Sequence, residues 1–201
     1  MRKGVILDRD GTIVDVVRDA ETGTISAAFH PSHLRLLPGV IGGLRALAGA
    51  GYALGIATNQ PGAAKGQLPR EAIERTNAAL VELRAAEGIA IASVATCLHH
   101  PEGGAGGDRT LVGPCDCRKP RPGLLFELVA ELGLDPARSW MVGDTASDLD
   151  AAHAAGLRGG LVFDDRRCEL CPLREGPRGL GPGDVSGRNL EAVAVAILAA
   201  G

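Results

Sequence analysis

Short apolar runs that end in polar turns recur along this chain and alternate with longer stretches of helical periodicity. The runs at 5–7, 53–57, 94–98, 140–142 and 160–163 have the near-continuous apolar character of strands buried on both faces. Between them, 39–50, 70–87, 122–132 and 148–155 repeat apolar residues at helical spacing, and Gly88, Gly133 and Gly156 follow three of these stretches as stop signals. A last apolar segment, 190–200, reads as a closing helix. This alternation predicts a doubly wound parallel α/β sheet with helices on both faces, as one domain over residues 1–201.

In such a sheet, ligands bind beyond the carboxyl ends of the strands. Asp8 follows the first run, Thr58, Asn59 and Gln60 the second, and Asp144 the fourth, so these polar clusters are expected to converge at one rim. Three segments break the alternation. Residues 15–38 and 100–114 are long loops, of the length that usually carries function. The stretch 164–187 also reads as loop, opening a C-terminal closing segment, 164–201.

Composition narrows the function classes. A length of 201 residues, with 45% hydrophobic and 22% charged residues, suits one buried core. A net charge of -3 and 2% aromatics supply neither the basic footprint nor the stacking surface of a nucleic-acid binder. No apolar run approaches the roughly 20 residues of a membrane span, and the N-terminal run is too short for a signal peptide. A monomeric cytoplasmic protein acting on a small molecule is the expectation, without nucleic-acid or membrane partners.

The chemistry concentrates in Asp8-Arg9-Asp10-Gly11-Thr12. An Asp carboxylate can attack phosphorus, but two anions repel, so a cation must bridge them. Mg2+ suits this role because it takes oxygen ligands and keeps several waters. Asp8 is the candidate nucleophile and a Mg2+ ligand. Asp10 is the candidate acid/base through its side chain and a ligand through its main-chain carbonyl. Asp144 is the third ligand, and Asp148 acts through water or by orienting its neighbours. Lys119, with the Thr58 hydroxyl and the Asn59 amide, would stabilise the phosphoryl oxygens. Each feature alone has a plain structural explanation, since a DxD turn, a helix-capping Asp and a Thr-Asn turn are all common. Their occurrence in order, each after an expected strand, favours a site.

Five cysteines fit metal binding or free thiols better than a disulfide framework. Cys97 and His99 end the third run, and Cys115 and Cys117 follow across the glycine-rich loop. Two close pairs of this kind close a tetrahedron around Zn2+ and staple the loop 97–117, with His100 as a competing ligand. Arg118 and Lys119 come directly after the staple, so fixing the loop fixes the lysine. Cys168 and Cys171 lack flanking features of a second site, and His30, His33 and His153 have no partners at ligand spacing.

The segments DRDGT, TNQ, the Lys of CRKP, and MVGDTASD resemble the four motifs of the haloacid dehalogenase-like phosphatase superfamily, in order across about residues 5–163. The resemblance implies a Rossmann-like core without a large cap, and an aspartyl-phosphate mechanism. Many relatives carry Lys where Thr145 stands. CLHHPEG, CDCRKPRPG and NQPGAAKG are similar to the zinc-containing branch that includes heptose bisphosphate phosphatases and histidinol-phosphate phosphatases, and favour the former. They imply a sugar-phosphate substrate, contacted by Asn59, Gln60, Lys65 and Arg118. Histidinol phosphate is the alternative substrate. A zinc-stabilised binding module would be expected to have lost Asp8, Asp10, Lys119 or Asp144.

Overall fold

Strand β1 (Gly4–Leu7) is buried along its whole length, because it lies inside a parallel sheet covered on both faces. The computed structural model describes residues 1–164 and 179–201. Within them, β4 (Ala53–Asn59), β5 (Ser93–Cys97), β6 (Trp140–Gly143), β7 (Arg158–Val162) and β8 (Val185–Gly187) join β1 in a six-stranded sheet of order β5-β4-β1-β6-β7-β8. Every pairing is parallel, with Leu7 opposite Ile56 on one side and Val142 on the other. This is the expected Rossmann-like doubly wound sheet.

The two-residue period of β1 divides the core. Val5 and Leu7 belong to one apolar cluster, with Leu44, Leu47, Val193 and Ile197. Ile6 faces the other, with Leu124, Leu125, Leu128 and Ala151. Helices α1 (Val40–Gly49) and α5 (Leu190–Ala200) therefore cover one face, and α3 (Gly123–Glu131) and α4 (Ala146–Ala154) the other. Helix α2 (Arg70–Ala86) adds Leu80 to the first cluster and Ile73 to a smaller one with Ala64 and Leu111, under the glycine-rich loop. The Asn189 side chain accepts a 2.9 Å hydrogen bond from the Ala192 N–H and so starts α5.

Two segments expected to be irregular carry strands. Residues 15–38 contain the antiparallel pair β2 (Val17–Arg18) and β3 (Ile25–Ser26). Within 164–187, β8 extends the sheet beside β7. The expected strand at 53–57 runs on to Asn59, so Thr58 and Asn59 are held in the sheet itself. Cys168 and Cys171 lie outside the described residues. Among the described residues, no helix is long and apolar enough to cross a membrane.

Candidate active site and metal centre

Because β1, β4 and β6 run parallel side by side, their carboxyl ends open on one edge of the sheet. A cavity of about 250 Å³ lies there, and Asp8, Asp10, Thr58, Asn59, Lys119 and Asp144 all contribute to its wall. Asp8 is held just past β1 by its N–H, which donates to the Val142 carbonyl of β6 at 2.8 Å.

The Lys119 ammonium is buried among these groups and donates to Asp8 Oδ1 at 2.6 Å and to the Ala57 carbonyl at 2.8 Å. It stands 2.7 Å from Asp148 Oδ1. The other Asp148 oxygen accepts from the Thr145 N–H at 3.1 Å and the Thr145 hydroxyl at 2.7 Å, in the capping box that begins α4. Thr145 thus anchors Asp148.

Carboxylate oxygens of Asp8, Asp144 and Asp148 lie within 4.8 Å of one another. The Lys119 ammonium contacts two of them, Asp8 and Asp148. Burial pushes the Asp8 carboxyl up; Lys119 pulls it back, Asp148 and Asp144 raise it again, and the balance stands at about 8. For Lys119, burial alone would depress the ammonium, but Asp148 and Asp8 outweigh it and hold its pKa above the ordinary lysine range. The site is a hard-oxygen donor set, which fits a divalent cation such as Mg2+. Gly11 makes room for the Asp144 carboxylate. At φ +88° it occupies the left-handed region, and a Cβ there would fall on the Asp144 carboxylate.

Asp10 is fixed by a second network, which contains a residue to which the sequence pattern assigns no role. The Arg9 side chain is fully buried, and its Nε donates to Asp10 Oδ2 at 3.0 Å. The Ala28 N–H donates to Asp10 Oδ1 at 3.1 Å, and the Gln60 amide to Asp10 Oδ2 at 2.6 Å. Gln60 also donates to the Thr58 hydroxyl oxygen at 2.9 Å. Gln60, expected at the substrate, is therefore turned inward onto Asp10 and Thr58. The Asn59 side chain is likewise engaged with protein, gripping both main-chain polar groups of Lys119 at 3.1 Å.

Lys65 and Arg118 do not line this cavity. Arg118 lines an adjoining one of about 400 Å³, whose wall it shares with Lys119 and Arg121. Lys65 lies close enough to His100 for its charge to disfavour the imidazolium, after burial, which has the larger effect.

The four expected zinc ligands come together beside this second cavity. Cys97 Sγ lies 3.8 Å from Cys115 Sγ, 2.9 Å from Cys117 Sγ and 4.0 Å from His99 Nδ1. Around a tetrahedral zinc, with Zn–S of about 2.3 Å, sulfurs stand about 3.8 Å apart; Cys97 and Cys115 match that spacing, Cys97 and Cys117 are closer, and the four ligand atoms lie within 4.8 Å of one another, a donor set compatible with Zn2+. Burial lifts the Cys97 and Cys117 thiols above their usual range, so a cation is what would hold them as thiolates. His100, the competing ligand, has Nδ1 engaged instead by the N–H groups of Glu102 and Gly103 at 3.3 and 3.0 Å.

Known proteins share this arrangement of sequence and fold. The family model described as "HAD-hyrolase-like" matches residues 116–168. The D-glycero-beta-D-manno-heptose-1,7-bisphosphate 7-phosphatase of Rhodopseudomonas palustris is 35% identical over 158 residues, covering 79% of this chain and 82% of that protein. The protein of the same name from Pseudomonas aeruginosa is 33% identical over 177 residues, covering 87% and 90%. Among solved structures, the D,D-heptose 1,7-bisphosphate phosphatase from B. bronchiseptica, complexed with magnesium and phosphate, aligns with a TM-score of 0.76 at 27% identity, covering 99% of both chains.

Proposed function

The chain belongs to the haloacid dehalogenase-like phosphatases, in the heptose bisphosphate phosphatase branch, and from that premise we propose that it removes the C7 phosphate of D-glycero-D-manno-heptose 1,7-bisphosphate. The observation that carries this reading is the single Lys119 ammonium shared by Asp8 and Asp148, beside Asp144, in a cavity that also contains Asp10.

Asp8 attacks the phosphorus, and the bond from phosphorus to the sugar oxygen breaks. The Asp10 carboxyl gives its proton to that oxygen, so the sugar leaves as an alcohol. In the second half-reaction, the Asp10 carboxylate takes a proton from water as the water attacks phospho-Asp8, which releases phosphate and restores the Asp8 carboxylate. Thr58 accepts its hydrogen bond from Gln60, which leaves its own hydroxyl proton for a phosphoryl oxygen. Lys119 supplies positive charge to the same group.

Asp8, Asp144 and the Asp10 carbonyl would hold Mg2+, which when bound supplies the charge that lets an anionic nucleophile approach a phosphate dianion. Cys97, His99, Cys115 and Cys117 would hold a structural Zn2+, tying down a loop with few apolar residues of its own. Arg118, in the adjoining cavity with Arg121, is suited to the sugar hydroxyls or the second phosphate. Lys65 is assigned to the substrate by the likeness of NQPGAAKG to the heptose enzymes.

A substrate panel tests the assignment. kcat/KM for the heptose bisphosphate should exceed that for histidinol phosphate by about 100-fold, a difference of roughly 2.7 kcal/mol in transition-state binding. The reverse preference would move the protein to the histidinol phosphatases.

A further inference from the structure

A buried arginine is costly unless every donor is placed, and the donors of Arg9 define a junction. Nε donates to Asp10 Oδ2 at 3.0 Å, and NH2 donates to the Ala28 carbonyl at 2.6 Å and lies 3.3 Å from Asp10 Oδ1. NH1 donates to Asn77 Oδ1 at 2.7 Å. Asn77 sits on α2 and in turn donates from Nδ2 to the Thr96 hydroxyl of β5 at 3.0 Å. Ala28 closes the circuit, because its N–H donates to Asp10 Oδ1 at 3.1 Å. One planar guanidinium therefore joins the Asp10 carboxylate to the long segment 15–38 on one side and to the sheet, through α2, on the other.

We propose that Arg9 is the positioning residue for Asp10. It sets the rotation of that carboxylate in the cavity wall and pins Ala28, whose neighbour Ala27 lines the same cavity. Arg9 touches no substrate: its side chain is 1% exposed, against 15% for that of Asp10. A fork with fixed donor directions can hold a carboxylate plane, a carbonyl and an amide oxygen together, and a lysine cannot. The inference rests on Asp10 acting as the acid/base of the proposed reaction.

The test uses the dependence of that role on the leaving group. An alkyl phosphate needs protonation as its ester bond breaks, whereas 4-nitrophenyl phosphate releases a stable phenolate. Phosphorylation of Asp8 would be followed in single turnovers of the Mg2+-loaded enzyme with 4-nitrophenyl phosphate and with a primary alkyl phosphate. Arg9→Lys should slow the alkyl ester by about 10- to 100-fold and the aryl ester by less than about 3-fold, with KM for each little changed. Asn77→Ala, which removes the outer support of the guanidinium together with the bond to Thr96, should show the same selectivity at smaller size and keeps the test available if Arg9→Lys folds poorly. Asp10→Asn provides the reference. If it is selective against the alkyl ester while Arg9→Lys slows both esters equally, or neither, the positioning role is wrong and the role of Asp10 survives. If Asp10→Asn itself shows no selectivity, the acid/base reading falls, and this inference falls with it.

Discussion

Asn59 and Lys119 grip each other reciprocally: the Asn59 amide donates to the Lys119 carbonyl, and the Lys119 N–H donates to the Asn59 side-chain oxygen, both at 3.1 Å. A strand end on β4 thereby fixes the main chain of a residue that lies 60 positions away in sequence and whose ammonium enters the catalytic cavity. Asn59→Leu keeps the bulk and removes both bonds. Leaving two partly buried main-chain groups unpaired costs about 1–3 kcal/mol for each. With the main chain at Lys119 loosened, kcat should fall by about 10- to 100-fold with a smaller change in KM, as read from steady-state kinetics. A higher KM with kcat intact would instead assign the Asn59 side chain to the substrate.

The burial of the Asp8 carboxyl predicts an unusual dependence of stability on pH. The Asp8 carboxyl stands at about 8 in the folded protein against an ordinary 3.8, chiefly through burial. Between those values the folded state holds a proton that the unfolded chain has released, so this group makes unfolding easier as pH rises through the window. Lys119, raised above the lysine range, stays charged throughout and adds no slope there. Metal-free protein should therefore lose stability relative to Asp8→Asn between about pH 4 and 8, by an amount on the order of a few kcal/mol. Added Mg2+ should stabilise the unsubstituted protein more at pH 8 than at pH 5, since it binds the ionised carboxylate. Thermal melts with chelator and with Mg2+ measure both effects. A wild-type curve parallel to that of Asp8→Asn would contradict the prediction.

Purified protein should carry about one equivalent of zinc, and Cys117→Ser should lose it. With the staple released, the melting temperature should fall and kcat should drop, because Arg118 and Lys119 follow the ligand directly in the chain. Metal analysis beside melting curves checks this. Full zinc content and unchanged melting in the variant would remove Cys117 from the ligand set.

The sheet is legible in the sequence because each central strand is an apolar run and each turn after it is polar, which places Asp8, Thr58, Asp144 and the cysteine pairs without any geometry. β8 is not, since Val-Ser-Gly offers a single apolar residue and takes its place by pairing with β7. β2 and β3, at two residues each, carry no periodicity at all. A polar residue that follows a strand at the rim is expected to reach outward, as Gln60 is; its inward turn depends on Asp10, fifty positions away, which no local pattern encodes. Arg9 reads as the spacer of a DxD turn. Its one signal is a basic residue two positions past a fully buried strand, which calls for a buried partner.

Every role proposed for the site turns on the covalent role of Asp8, and trapping the intermediate tests it most directly. A single turnover of Mg2+-loaded enzyme with the heptose bisphosphate would be quenched in acid, digested and mapped by mass spectrometry. The phosphoryl group should be found on Asp8, and Asp8→Asn should neither trap it nor turn over, while melting as a folded protein. A phosphoryl group on another residue, or turnover surviving in Asp8→Asn, would contradict the covalent mechanism.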